Sequence, residues 1–167
     1  MTKEEKLELQ KQRLIEQLGV LMERKHQLAP LAARIMSTLI LTGQHGVTFE
    51  KLVTDLNASK STVSTHLDNL QTSRRIEYFT KPGDRKRYFV INPNLMIEVI
   101  NETVAAWETE ENVQKEILEY KQERNELNRE QGLPLFDLNF QKSILVFLQE
   151  ATTAIKKLKT QIVNDKK

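Results

Sequence analysis

The sequence contains no cysteine, which excludes thiolate catalysis, thiol redox sensing and cysteine-ligated zinc. This fits a reducing compartment, and a cytoplasmic location is expected. Five glycines and four prolines among 167 residues rule out collagen-like and low-complexity chains. With abundant Leu, Lys, Glu and Gln, that scarcity favours a mostly helical protein. No apolar run approaches the roughly 18 to 20 residues that a membrane-spanning helix needs. The opening MTKEEKLELQ is charged where a signal peptide would be apolar, so no membrane partner is expected. There is no P-loop, dinucleotide fingerprint or nucleophile elbow. His26, His45 and His66 lie far apart without partners at metal-ligand spacing. Glu108, Glu110 and Glu111 point to different faces of a helix and read as solvated charge rather than an acid–base pair. No enzymatic activity, metal or cofactor is therefore expected.

Charge is present in both signs but segregated. Between Asn57 and Ile91 stand seven cations (Lys60, Arg74, Arg75, Lys81, Arg85, Lys86, Arg87) against Asp68, Glu77 and Asp84. Between Pro93 and Gln131, ten glutamates outnumber Lys115, Lys121, Arg124 and Arg129. The first stretch suits a polyanion and the second would be repelled by one; two solvated surfaces are the plainer alternative.

Hydrophobic spacing divides the chain into elements. Residues 4 to 26 read as a helix with Leu7, Leu14, Leu21 and Leu28 every seventh position, and Ile15, Leu18 and Met22 beside them. Pro30 opens a second helix to Thr42, with Leu31, Ile35, Leu39 and Ile40 as its inner face. Gly43 and Gly46 break it. Thr48 caps a short helix carrying Leu52, Val53 and Leu56, Asn57-Ala58 turns the chain, and Ser59 caps a helix carrying Val63, Leu67 and Leu70. The period then switches to alternation. Arg75–Thr80 and Arg87–Ile91 read as strands around the turn residues Pro82-Gly83-Asp84. Asn92-Pro93 starts a long helix to about residue 130, with a weak stripe, and room for a kink, between Glu108 and Asn112. Gly132 and Pro134 end it. Asp137 caps a last helix to about Val163, whose Ile144, Leu148, Ala151, Ile155, Leu158 and Ile162 form a coiled-coil-like seam. Residues 164–167 are expected to fray.

Helix, helix, short turn, helix and basic hairpin is the order of a winged helix-turn-helix. The second helix of the motif exposes Lys60, Ser61, Thr62, Ser64, Thr65 and Asn69, small polar groups suited to a major groove about 12 Å wide. Its N-terminus suits a phosphate. The hairpin carries Lys81, Arg85, Lys86 and Arg87, placed for backbone phosphates or a minor groove. The runs Val47–Leu52 and Ser59–Leu70 resemble MarR-type bacterial regulators, and the wing Lys81–Phe89 resembles the GbsR-like branch of that group. The close match spans roughly residues 30 to 95; the flanking helices match in order and length. The resemblance implies a cytoplasmic, homodimeric repressor on palindromic double-stranded DNA. It assigns the major-groove reading to Ser61, Thr62, Ser64 and Thr65 and the minor-groove reading to Arg85. It also implies that an Asp84–Arg85 pair shapes the wing tip. Where the family usually has glycine and leucine after the recognition helix, this chain has Arg74-Arg75, so Arg74 is expected in a left-handed conformation.

The fold class is thus mostly α: a winged helix-turn-helix with one β-hairpin wing and long terminal dimerisation helices. The expected divisions are a dimerisation helix at residues 1–29, the DNA-binding domain at 30–92 and a C-terminal dimerisation region at 93–167. Apolar stripes on the outer helices exceed what one small domain covers, favouring a homodimer over a monomeric helical layer. Trp107, Tyr120 and Phe136 are candidates for a small-molecule effector pocket, with core packing the expected role. The alternative function is a winged-helix scaffold that binds protein and not DNA. The polar Lys/Ser/Thr/Asn face of the second motif helix argues against it.

Overall fold

The computed structural model describes residues 1–165. The elements are α1 (Lys3–His26), α2 (Pro30–Thr42), a 3₁₀ turn (Gly43–His45), β1 (Val47–Thr48), α3 (Phe49–Asp55), α4 (Lys60–Thr72), β2 (Ile76–Thr80), β3 (Arg87–Ile91), α5 (Leu95–Gln131) and α6 (Asn139–Asn164). The chain divides into two compact units, Met1–Leu95 and the residues from Met96 onward.

In the first unit, local chemistry starts α2, α3 and α4 where the sequence predicts, and α1 one residue earlier, at a cap the sequence reading does not name. Thr2 accepts from the Glu5 N–H while the Glu5 carboxylate accepts from the Thr2 N–H, a reciprocal cap on α1. Thr48 and Ser59 cap α3 and α4 through their hydroxyls. Pro30 occupies the first turn of α2, where its missing N–H costs nothing. The helices converge on a core of Ile35, Leu39, Leu52, Val63, Leu67 and Ile76, closed by Phe89 from the sheet. Ser37 and Thr38, also buried, donate to the carbonyls of Ala33 and Arg34 one turn back. This satisfies both hydroxyls inside the helix.

One expectation for this unit needs correction. Ile40 does not face inward: it is 43% exposed, because Leu39 takes the inward position beside it. The heptad leucines of α1 do not all pack within this unit, as a stripe too long for one small domain implies. Leu7 and Leu21 are exposed, and the α1 face turned to α2 is that of Ile15, Leu18, Gly19 and Met22. At Gly19 the Arg34 side chain crosses bare backbone, and a Cβ there would stand 3.1 Å from Arg34 Cδ. Arg34 is held in that notch by Glu16, at 3.1 Å, and by Glu23.

The sheet has three antiparallel strands in the order β1-β3-β2. The hairpin was expected; the two-residue β1, pairing Val47 with Phe89 and Thr48 with Tyr88, is too short to leave a periodic signal. Strand β2 begins at Ile76 rather than Arg75, whose N–H instead closes the end of α4 on the Leu70 carbonyl.

In the second unit, α5 and α6 form an antiparallel hairpin. Its register is marked by Lys159 Nζ to Asn101 (2.7 Å), Lys156 to Glu108 (2.8 Å), Gln149 to Glu111 (3.1 Å) and Lys121 to Gln141 (2.8 Å). Helix α5 is continuous across 108–112, without the kink that the weak stripe allowed. Glu108 and Glu111, which interrupt the stripe, neither point to different faces nor are merely solvated, since three residues apart they share one side of α5 and both reach α6. The ammonium of Lys115 and the amide of Gln149 hold the Glu111 carboxyl below its usual pKa. The connecting loop is tied down by two buried asparagines. Asn125 exchanges two bonds with the Phe136 backbone, and Asn128 donates to the Pro134 carbonyl.

The helix boundaries differ at three places. Helix α5 begins at Leu95, because the Asn92 side chain accepts from Asn94 N–H and holds Asn92–Asn94 as a turn. Leu138, not Asp137, is the N-cap of α6, although the Asp137 carboxylate accepts from Asn139 N–H. Asn164 is still helical; of the tail expected to fray, residues 166 and 167 lie outside the described residues. Tyr120 and Phe136, expected in a core, are 62% and 44% exposed with ring centroids 6.4 Å apart. Among the described residues, no helix is long and apolar enough to cross a membrane.

Gly46 ties the 3₁₀ turn to the sheet. Its φ of +70° and ψ of 166° are accessible essentially to glycine alone, and a Cβ would stand 2.9 Å from Tyr88 Cβ and 3.2 Å from the Phe89 carbonyl. Gly43 shares the positive φ but has open space around it. Gly46→Ala is therefore expected to cost about 1–3 kcal/mol in backbone strain and a further steric penalty. Gly43→Ala should lose only the backbone part. Urea unfolding of the two variants measures the difference.

Candidate nucleic-acid interface

The turn between α3 and α4 is tight because Asn57 adopts a left-handed φ of 48° and Ala58 N–H bonds the Val53 carbonyl. Asparagine tolerates that conformation better than most residues. The turn lets Val63, Leu67 and Leu70 bury one side of α4. By helical spacing, Ser61, Ser64, Thr65, Asp68 and Thr72 then share the opposite, exposed arc. No large apolar side chain of α4 is exposed.

The hydroxyls of this helix are not equally free. Ser59 Oγ accepts from Thr62 N–H at 3.1 Å and also lies 3.0 Å from Ser61 Oγ and 2.6 Å from Thr62 Oγ1. Ser61 and Thr62 thus belong to the cap cluster. Thr65 donates to the Ser61 carbonyl and Thr72 to the Asp68 carbonyl. Ser64 makes no such bond and is fully available. Lys60 starts the helix, exposed, and no acidic residue occupies its first turn, which leaves the positive helix end uncompensated. Asn69 is exposed on the flank beside Thr62, and His66 is half-buried there. Helix α4 ends with Arg74 left-handed (φ 54°), as expected. Arg74 and Arg75 N–H groups return to the Gln71 and Leu70 carbonyls, while Asn92 Nδ2 holds the Arg74 carbonyl at 2.7 Å. This is the arrangement in which glycine usually stands; here Asn92 supports an arginine in it.

The wing is braced by aromatic rings. Phe79 and Tyr88 stack across the hairpin at 5.6 Å, and Tyr78 meets Phe89 at 6.0 Å. Lys81 Nζ sits 3.9 Å above the Tyr88 ring and the Arg87 guanidinium 4.6 Å from the Tyr78 ring. Those two cations are thereby oriented by cation–π attraction. Asp84 shapes the tip, but not by an ion pair with Arg85. Its carboxylate accepts from Lys86 N–H at 2.9 Å and from the Tyr88 hydroxyl at 2.7 Å. The Lys86 N–H first, and the Tyr88 hydroxyl second, hold the Asp84 carboxyl below its ordinary pKa; donating to Asp84 pushes the Tyr88 phenol up. Arg85 and Lys86 are exposed and form no ion pair among the described residues.

Helix α4 and the wing meet at a cleft of about 350 Å³ whose polar lining is Glu50, Ser64, Asp68, Gln71, Arg85, Lys86 and Arg87. Four expected site residues (Ser64, Arg85, Lys86, Arg87) thus come together. Lys60, Ser61, Thr62, Thr65, Asn69 and Lys81 lie outside that cleft. Asp68 and Gln71, like Glu50, are not among the site residues that the sequence singles out. The positions of Asp68 and Gln71, four and seven residues after Ser64, are the signal that could have found those two.

This is a winged helix-turn-helix fold, and comparison with solved structures agrees. The chain is similar to a protein described as a transcriptional regulator, at 20% identity and a TM-score of 0.51, over 93% of this chain and 99% of that one. Transcriptional regulator Tm0710 from Thermotoga maritima is similar at 18% identity and a TM-score of 0.42, over 92% and 94%. A point mutant of S. aureus MepR, bound to an oligodeoxyribonucleotide, is similar at 17% identity and 0.42, over 78% and 96%. No family model and no curated protein matches the sequence.

If the Tyr88 hydroxyl shapes the wing tip, Tyr88→Phe should keep the ring stack but release one arm of Asp84. The expected result is an Asp84 carboxyl pKa that moves up toward its ordinary value. An NMR pH titration reads this directly, with Tyr78→Phe, whose hydroxyl does not touch Asp84, leaving the titration unmoved.

Proposed function

We propose that this protein is a transcriptional regulator of MarR type that binds double-stranded DNA sequence-specifically and performs no catalysis. The observation that carries this reading is the cleft that Ser64, with an uncommitted hydroxyl, shares with Arg85, Lys86 and Arg87. It joins a small polar helix face to long cationic side chains, the pairing that groove and phosphate contacts require. The shared fold with a described transcriptional regulator supports the reading. The site comprises Lys60, Ser61, Thr62, Ser64, Thr65 and Asn69 on α4, and Lys81, Arg85, Lys86 and Arg87 on the wing. The wing motif Lys81–Phe89 favours the GbsR-like branch.

The protein works in the cytoplasm as a homodimer and represses by occupying a palindromic operator. Support for a dimer comes from apolar side chains left uncovered on the outer helices. These are Leu7 and Leu21 on α1, Val113, Tyr120 and Leu127 at seven-residue intervals on α5, and Phe140, Phe147 and Leu158 on α6. Residues 1–29 and 93–167 are the dimerisation segments in this reading, with 30–92 the DNA-binding domain. A two-fold pair presents two recognition helices about 34 Å apart, one turn of the duplex, hence an inverted repeat.

Arg85→Ala is expected to weaken operator binding at least roughly tenfold, and Ser64→Ala to alter base preference with a smaller loss. Wild-type affinity should fall steeply with added salt. Fluorescence anisotropy with labelled promoter duplexes measures all three; unchanged binding by Arg85→Ala would remove the wing from the interface. Phe147→Glu should shift the species seen in sedimentation velocity from two chains to one, while its circular dichroism stays helical.

A further inference from the structure

The reading arc of α4 contains one group whose chemistry runs against its surroundings. Asp68 is exposed between Thr65 and Thr72 on the arc opposite Val63 and Leu67. Its carboxylate forms no ion pair or hydrogen bond among the described residues, although Arg85 and Arg87 line the same cleft. On the same arc Thr65 and Thr72 spend their hydroxyl hydrogens on helix carbonyls. The arc is therefore rich in acceptors and has few donors. A bare carboxylate brought to a duplex meets the phosphate field as repulsion. That cost is offset where the carboxylate accepts from an N–H donor on a base edge. The major groove offers such donors as the exocyclic amino groups of cytosine and adenine, and Asp pairs with cytosine N4.

We infer that Asp68 is a specificity-determining residue that accepts a hydrogen bond from the amino group of a cytosine in each half-site. Ser64, one helical turn back on the same side, and the wing cations in the shared cleft position it over the groove. This inference rests on the DNA-binding reading above and adds to it the identity of one base. It also explains why a helix otherwise built of Lys, Ser, Thr and Asn on its outer surface carries an acid there. Repulsion from every site lacking the cytosine would sharpen discrimination as much as attraction to the right one.

The experiment is selection of bound sequences from a randomised duplex pool by the full-length chain, wild type against Asp68→Ala. Circular dichroism serves as the folding control. The wild type should prefer cytosine at one position per half-site by roughly ten- to a hundredfold over other bases. Asp68→Ala should flatten that position alone, with binding to unrelated duplexes unchanged or tighter. The inference is overturned if Asp68→Ala keeps the same preference at every position. It is equally overturned if the variant weakens all duplexes alike, since Asp68 would then serve to prop Arg85 and Arg87. A wild-type chain that selects no sequence at all would defeat the DNA-binding reading itself, an outcome distinct from either of these.

Discussion

The burial of Val63, Leu67 and Leu70 against the α2 and α3 core is the constraint on which the interface depends. Three apolar positions at helical spacing fix the roll of α4 about its axis, and with it which side chains can point outward. A rotation by one residue would carry Ser64 or His66 inward and expose a leucine. Phe89 closes the same core from β3, so one set of contacts also sets where the strand bearing Arg87 leaves the sheet. Helix face and wing are therefore two ends of one packed object, and the cleft between them inherits the rigidity of the core.

Much of this was legible in the sequence. The caps at Thr48 and Ser59, the proline at the start of α2, the hairpin and the inward residues of α4 follow from local chemistry that acts over a few residues, and such chemistry reads directly. What was missed acts over longer range. The β1 strand exists because Val47 and Thr48 find β3 some forty residues on. The wing tip is held by a tyrosine hydroxyl four residues away instead of the neighbouring arginine, a choice that depends on how the hairpin twists. Ile40 looked as apolar as Leu39, but only the packed neighbours decide which of two adjacent side chains faces in. Of the site, residue types and elements could be anticipated. That Ser61 and Thr62 would be absorbed into the Ser59 cap required coordinates, whereas the helical spacing of Asp68 from Ser64 was a signal already present in the sequence.

The long helices illustrate a second limit of pattern reading. Glutamates that interrupt an apolar stripe suggested a break in α5, yet Glu108 and Glu111 hold the helix in register with α6 through Lys156 and Gln149. A polar residue in a seam can specify alignment where apolar contacts only supply adhesion. The exposed aromatics Tyr120, Phe140 and Phe147 mark the complementary case. Of these only Tyr120 is singled out by the sequence, and as a core residue; Phe140 and Phe147 lie off the α6 seam that spacing marks, and the chain itself leaves all three uncovered.

The notch at Gly19 bears on how the first helix behaves. The Arg34 side chain lies across bare backbone there, pinned by Glu16 and Glu23, so it has little freedom to retreat. A Cβ at that point would press on the Arg34 side chain, which must give by a few tenths of an ångström and so strain its ion pairs with Glu16 and Glu23. A single absent carbon on a helix of twenty-four residues thus leaves room for the cation that ties α1 to α2.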